Sequence, residues 1–294
     1  MKKTFTLFLS LALFIISNTI NAQSWSKVGG TTGSNVSYII RSIVEDGSGN
    51  LYAAGQFTDI SGYYYVTKWN GTSWSELGNL QANNVITALA TDGSGNLYAV
   101  GAFTNYNNYS YVAKWDGTSW SELGSLNANQ SIQAITIDHN GTISVGGNFI
   151  NAAGYSYVAQ WNGSSWNELS NGVNKLNANA GIATLTTDAS GNVYASGGFM
   201  TSDYYHYVAK WDGLSWSEVG TGSNILPGNS SISCLKFDAS GNLYAAGDFY
   251  NISTNNRYVA KWNGTTWTEL GTSTNELHAP SAIRSLAVDN SGNV

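Results

Sequence analysis

The chain is poor in the residues that usually carry chemistry: one cysteine and three histidines in 294 residues, with charged side chains only 10% of the total. A single thiol, Cys234, cannot form an intramolecular disulfide, so stability must come from burial and sheet pairing. It stands in Ile232-Ser233-Cys234-Leu235, the slot held by Ser42 and Ala88 elsewhere, and is read as a small buried residue. His139, His206 and His278 fall in unrelated contexts, without His-x-x-x-His or Cys/His spacing. That argues against a zinc centre or a catalytic triad, and no cofactor, metal or catalytic residue is expected. The net charge of −6 lacks the basic footprint of a nucleic-acid or anionic-membrane binder. Beyond the first 22 residues, no stretch is long and apolar enough to span a bilayer.

Residues 1–22 stand apart. Lys2 and Lys3 precede the apolar run from Phe5 to Ile16, and a polar stretch ends at Ala22. This is the layout of a secretory signal peptide, too short and wrongly flanked for a membrane span. The mature chain is expected to begin at Gln23, to be secreted or displayed at the cell surface, and, with no cysteine at the cut, not to be acylated there.

What the chain has in abundance is repetition. Asp-x-Ser-Gly-Asn or a near variant recurs with its aspartate at Asp46, Asp92, Asp138, Asp188, Asp238 and Asp289, at intervals of 46, 46, 50, 50 and 51 residues. Fixed periods of about 20 to 50 residues mark solenoids, propellers or arrays. All eleven tryptophans obey the period: five pairs, from Trp69/Trp74 to Trp262/Trp267, and Trp25.

Each module reads as four short strands, because segments rich in Val, Ile, Tyr, Trp and Thr are bounded by Gly/Asn/Asp/Ser clusters and no helical apolar stripe is sustained. In the first module, strand a is expected over Ile40–Glu45, b over Asn50–Phe57, c over Tyr65–Trp69 and d over Ser73–Leu77. Repeated four-stranded sheets are the units of a β-propeller. The fold class is therefore all-β: a β-propeller of antiparallel blades over residues 23–294, with about five complete blades. Residues 25–29 match a strand d, and a sixth strand a is expected over residues 282–289. Strand c and most of strand b of that module are missing, so the chain is expected to be a fragment of a six- to seven-bladed ring, truncated at its C-terminal edge.

Local chemistry supports this division. Asn-Gly or Asp-Gly between c and d, as at Asn70-Gly71 and Asp116-Gly117, favours a tight hairpin with both central residues at positive φ. Between a and b, the aspartate closes an Asx-type turn. Asp46-x-Ser48-x-Asn50 matches the first ligand positions of a calcium loop, but Leu51 stands where glycine is required and Phe57 where the bidentate glutamate would be. The Ala/Gly-rich b strands suit close approach of neighbouring blades, and the Trp pairs supply bulk. Lys68 and its repeats, replaced once by Gln160, are read as surface cross-strand partners of Glu76 and its repeats.

The pattern quoted best as Val100-Gly101-Ala102-Phe103 and Tyr111-Val112-Ala113-Lys114-Trp115-Asp116-Gly117-Thr118-Ser119-Trp120-Ser121-Glu122-Leu123-Gly124 resembles repeats in secreted and surface β-propeller proteins of Bacteroidetes-type bacteria. The Asp-x-Ser-Gly-Asn-Leu-Tyr half is similar to the bacterial seven-bladed propeller repeat. The Trp-rich half is similar to fungal cell-polarity cortical markers and, more distantly, to kelch repeats. The resemblance covers residues 25–294 and implies the fold. It brings no shared catalytic motif, and in many such bacterial proteins it goes with a C-terminal type IX secretion domain, which this chain does not show.

Function is expected on one rim. In an up-and-down blade the short a–b and c–d turns share one end. The b–c loops (58–62, 104–108, 150–154, 200–203, 250–255) and the Asn-rich d–a links share the other, where all the length variation falls. Tyr63, Tyr109, Tyr155 and Tyr205 lead into strand c there, each two residues before Tyr65, Tyr111, Tyr157 or Tyr207. Residues two apart share a strand face, so these rings are read either as outer-strand packing or as a platform for a glycan or protein partner. The expected function is exported, non-enzymatic binding or adhesion. The alternatives are a glycan-acting hydrolase or lyase, which would need off-pattern acids such as Glu45, Asp59, Asp203, Asp248 and Glu276 to converge, and a purely structural surface module.

Overall fold

The computed structural model describes residues 39–271, 277–289 and 291–294. The leader expected over residues 1–22, the strand-d match at 25–29 and Glu276 lie outside the described residues. Five four-stranded antiparallel sheets follow one another, each in simple sequence order. Blade 1 holds β1 (Ile40–Glu45), β2 (Leu51–Gly55), β3 (Thr67–Trp69) and β4 (Trp74–Glu76). Blade 2 holds β5 (Ile86–Thr91), β6 (Leu97–Gly101), β7 (Ala113–Trp115) and β8 (Trp120–Glu122). Blade 3 holds β9 (Ile132–Ile137), β10 (Ile143–Gly147), β11 (Ala159–Trp161) and β12 (Trp166–Glu168). Blade 4 holds β13 (Ile182–Thr187), β14 (Val193–Gly197), β15 (Ala209–Trp211) and β16 (Trp216–Glu218). Blade 5 holds β17 (Ile232–Phe237), β18 (Leu243–Gly247), β19 (Ala260–Trp262) and β20 (Trp267–Glu269). A single 3-10 turn, Gly222–Asn224, interrupts the link into blade 5.

The a strands of successive blades lie beside one another, and each b strand packs on the next blade's a strand. The sheets do not close into a ring. Each apolar cluster accordingly spans two blades: Tyr52 and Ala54 of blade 1 bury Ile86 and Leu89 of blade 2, and the pattern repeats along the chain. Ile40 and Ile43, in register with Ile86 and Leu89, are exposed on the outward face of blade 1. A fully buried phenylalanine follows each later b strand (Phe103, Phe149, Phe199, Phe249) and meets the tyrosine that leads into strand c, as in the edge-on pair Phe103–Tyr111 at 4.9 Å.

Small residues in the b strands have a geometric cause. Strand a carries a bulge opposite the end of b, between Ile86 and Ala88 in blade 2. A Cβ on Gly101 would lie 2.2 Å from the Val85 carbonyl oxygen. The Trp pairs also fasten blades together: Trp120 Nε1 donates to the Leu77 oxygen of the preceding blade at 2.8 Å, and Trp166, Trp216 and Trp267 repeat the bond at 2.7, 2.8 and 2.9 Å.

Four expectations need correction. The b, c and d strands are shorter than their sequence limits, because the residues flanking them turn into loop hydrogen bonds. The c–d connection is not a two-residue hairpin: Trp69 pairs with Trp74 across a four-residue loop in which, at Asn70-Gly71, only the glycine takes positive φ. Asn70 Oδ1 instead accepts from the peptides of Thr72 and Ser73 at 2.9 and 3.0 Å. Lys68 and Glu76 are not partners, since Lys68 stands opposite Ser75 and Glu76 opposite Thr67, which places them on opposite faces of the sheet. Finally, residues 282–289 form no strand. Ile283, Leu286 and Val288 pack against blade 5, and the Ile283 peptide donates to Gly247, but no described strand pairs with this segment.

Candidate binding surface

The two ends of the blades are built differently. At the turn end, Asp46 Oδ1 accepts from the peptides of Ser48 and Asn50, while Oδ2 accepts from Asn50 Nδ2 at 2.7 Å and Tyr52 Oη at 2.9 Å. The same clasp recurs at Asp92, Asp188 and Asp238. Each clasp tyrosine carries a lysine ammonium over its ring, at 5.4 to 5.8 Å for Lys68, Lys114, Lys210 and Lys261. Burial raises the carboxyl, but these donors outweigh it and hold Asp46 down to about 2. The repeated Asp-x-Ser-Gly-Asn-x-Tyr motif is thus a self-satisfied structural unit. Among the described residues, no cluster of His, Cys, Asp or Glu is arranged to hold a metal ion.

The opposite rim is braced by backbone pairing and presents side chains outward. The b–c loop closes on an Asx turn: Asn105 Oδ1 accepts from the peptides of Asn107 and Tyr109, and the Asn105 peptide donates to the Tyr109 carbonyl. Asp59 does the same in blade 1, so this acid belongs to the repeat. Ser110 and Ala128 exchange backbone bonds, joining the loop to the d–a link of its own blade. Asn83 of the preceding link accepts from the Thr104 peptide at 2.8 Å, and Asn129, Asn179 and Asn229 repeat this bond. The asparagines that give the links their polar character therefore serve as braces.

Tyr63, Tyr109, Tyr155 and Tyr205 lie in the loop ahead of strand c, with 39, 39, 40 and 46% of their surface exposed. Blade 5 has Asn256 at this place, accepting from the Asn251 peptide. Their next-but-one neighbours are packed on the buried phenylalanines, so the two tyrosine sets separate: one is packing, the other is on the surface. Beyond them, Ile60, Tyr106, Tyr204 and Ile252 are almost fully exposed in the b–c loops. Sequence reasoning missed these four; the signal was bulky apolar residues in loops whose neighbours are Asn, Ser and Gly.

Beneath the loops are clefts between blades. One of about 330 Å³ between blades 4 and 5 is walled by Leu226, Asn251, Tyr258, Trp267 and Glu269. A smaller one of about 180 Å³ between blades 1 and 2 has Leu80, Asn105, Tyr111, Trp120 and Glu122 in the same register. The glutamate is held by the loop asparagine, at 3.1 Å from Asn105 Nδ2 to Glu122 Oε1 and 2.9 Å from Asn251 Nδ2 to Glu269 Oε2. Burial, with the charge of Glu269 beside it, pushes the Tyr258 phenol up to about 12. In blade 4, where Thr201 replaces the asparagine, burial raises the Glu218 carboxyl. Such a cleft offers a carboxylate with unused lone pairs next to aromatic walls. Tyr63, Tyr109, Tyr155 and Tyr205 line neither cleft, whereas Ile252 lines the one at blade 5.

The described off-pattern acids do not share one place. Glu45 ends β1 near the turn end, Asp203 lies in the blade 4 loop, and Asp248 pairs with Arg257 at 4.0 Å. Cys234 is buried, and burial pushes its thiol up to about 11. No described helix is long and apolar enough to cross a membrane.

No protein-family model and no curated protein sequence matches the chain. Among solved structures it is similar to virginiamycin B lyase from Staphylococcus aureus, at TM-score 0.53 and 12% identity over 80% of this chain and 70% of that one. It is also similar to PorZ, a surface component of the type-IX secretion system of Porphyromonas gingivalis, at TM-score 0.54 and 13% identity over 82% of this chain and 36% of that one. The chain has a β-propeller fold. At these identities the likeness concerns the fold alone, and the blades described above are propeller blades.

Proposed function

We propose that this propeller is a non-enzymatic binding or adhesion module of an exported protein, and that its b–c rim takes the partner, a glycan. The observation that carries the reading is the contrast between the two ends of the blade. At the turn end of blades 1, 2, 4 and 5 the clasp side chains are consumed by their own hydrogen bonds. At the rim, a braced backbone holds exposed tyrosines and apolar loop residues in the open, beside clefts that offer a carboxylate, an amide and aromatic walls. A rigid scaffold carrying amphipathic rings binds with little loss of side-chain freedom. The hydroxyl-rich, weakly apolar surface of a glycan complements such a rim.

The test is a glycan and polysaccharide binding screen on the secreted protein, repeated with Tyr63, Tyr109, Tyr155 and Tyr205 changed together to alanine. Saturable binding in the parent, lost in the folded variant, is expected. Binding that persists in the variant, or turnover of the bound sugar, contradicts the reading.

A further inference from the structure

Blade 3 breaks the turn-end clasp at every position except the aspartate. Thr142 stands where the other complete blades have Asn50, Asn96, Asn192 and Asn242. Ser144 replaces Tyr52, Tyr98, Tyr194 and Tyr244, and Gln160 replaces Lys68, Lys114, Lys210 and Lys261. In the intact clasp the asparagine and the tyrosine share one aspartate oxygen and the lysine lies over the tyrosine ring, so the three changes fall in one contact network. Asp138 keeps the backbone half of its role, with Oδ1 accepting from the peptides of Asn140 and Thr142 at 2.9 and 2.8 Å. Its Oδ2 accepts nothing among the described residues, whereas in the other four blades that atom receives both an amide and a phenol.

The space left by the tyrosine has not collapsed. Between blades 2 and 3, with Tyr98 and Lys114 among the walls, the cleft at this level measures about 380 Å³. The corresponding cleft between blades 3 and 4 measures about 460 Å³ and is walled by Asp138, Thr142, Gln160, Asn192, Trp211 and Asp212. Ser144 is buried behind it, and its Oγ accepts from Gln160 Nε2 at 3.2 Å. The loss of the lysine and the presence of two aspartates disfavour an anionic ligand. A group that donates two hydrogen bonds to Asp138 Oδ2, as the amide and phenol do elsewhere, and that accepts and donates to Thr142 and Gln160, matches the walls.

We propose that the blade 3–blade 4 cleft at the turn end is a binding site for a single neutral sugar residue, whose hydroxyls take the place of the missing amide and phenol on Asp138. This site lies at the opposite end of the blades from the rim and does not depend on the rim's role.

Restoring the repeat provides a test that should not damage the fold. The full chain carrying Thr142→Asn, Ser144→Tyr and Gln160→Lys occupies Asp138 Oδ2 and fills part of the cleft with the side chains that four other blades already use. Methyl glycosides of glucose, galactose, mannose and N-acetylglucosamine are the probes, read by saturation-transfer NMR and calorimetry. Saturable binding of at least one is expected, weakened at least tenfold by the triple change and by Asp138→Asn, which retains an oxygen for the backbone donors. The four-tyrosine rim variant should bind the same monosaccharide as well as the parent does, which separates failure of this site from failure of the rim. The proposal is overturned if no probe binds saturably, if the triple variant binds equally well, or if calcium alone produces the calorimetric signal.

Discussion

Replacing Trp120 with phenylalanine isolates one of the hydrogen bonds that fasten blade 2 to blade 1. The indole N–H reaches the Leu77 carbonyl oxygen at 2.8 Å across the blade boundary, in a half-buried setting. Phenylalanine keeps an aromatic ring beside Trp115 but has no donor. The net worth of such a hydrogen bond is about 0.5 to 1.5 kcal/mol, and an acceptor left without a partner adds to that where water does not reach it. With the smaller ring included, the expected loss is about 1 to 2 kcal/mol, or about 2 to 4 °C in melting temperature for each kcal/mol. Trp120→Ala, which also empties the space under the ring, should cost about 3 to 5 kcal/mol. Because the bond recurs at Trp166, Trp216 and Trp267, the phenylalanine variants should agree with one another within a factor of about two. Differential scanning calorimetry of the four variants reads this directly. A Trp120→Phe protein as stable as the parent, within about 0.3 kcal/mol, would show that the indole bond contributes nothing to joining the blades.

Acid should weaken the fold in a defined window. Asp46 and the turn aspartate Asp116 are held to about 2, and Asp92, Asp188 and Asp238 are lowered too, so these carboxylates are more acidic folded than unfolded. Their contribution is complete above about pH 4 and is lost as the pH falls towards 2, while Glu76 and Glu218, raised by burial, act in the opposite sense at higher pH. Urea midpoints that stay level from pH 5 down to 2 would contradict this. Gly101→Ala should cost about 2 to 3 kcal/mol, because the new Cβ meets the Val85 carbonyl oxygen. Gly117→Ala, in open space at φ 99°, should cost about 1 to 2 kcal/mol, through conformation alone. Equal melting temperatures for the two would contradict the bulge argument. Restoring the clasp in blade 3 with Thr142→Asn, Ser144→Tyr and Gln160→Lys should raise the melting temperature, and a lowered one would mean that the cleft is required by the packing around it.

The repeat period and the strand order were legible in the sequence because each depends on local pattern, namely Asx turns and a bulky pair at fixed spacing, whereas the fully buried phenylalanines after strand b and isoleucines of strand a were not singled out. Cross-strand partnership was not legible, since it depends on register. Either a two-residue or a four-residue c–d loop puts Lys68 and Glu76 on opposite faces; the four-residue loop sets Lys68 against Ser75, and the lysine turns to the ring of Tyr52. The b–c rim was singled out by parity and loop length, and Tyr63, Tyr109, Tyr155 and Tyr205 are partly exposed there. The cleft residues, such as Tyr111 and Glu122, were hidden because they repeat faithfully and so looked structural. Gln160 was visible as a departure, but its meaning needed the neighbouring changes at Thr142 and Ser144, sixteen or more positions away in the chain and in contact only across the sheet.

The most direct measurement is covalent footprinting of exposed side chains on the protein, alone and with a saturating glycan found in the screen. Protection concentrated on Tyr63, Tyr109, Tyr155 and Tyr205 and on the loop residues Ile60, Tyr106, Tyr204 and Ile252 is the expected result. Unchanged labelling at those eight residues, with bound glycan present, would contradict a rim-binding propeller.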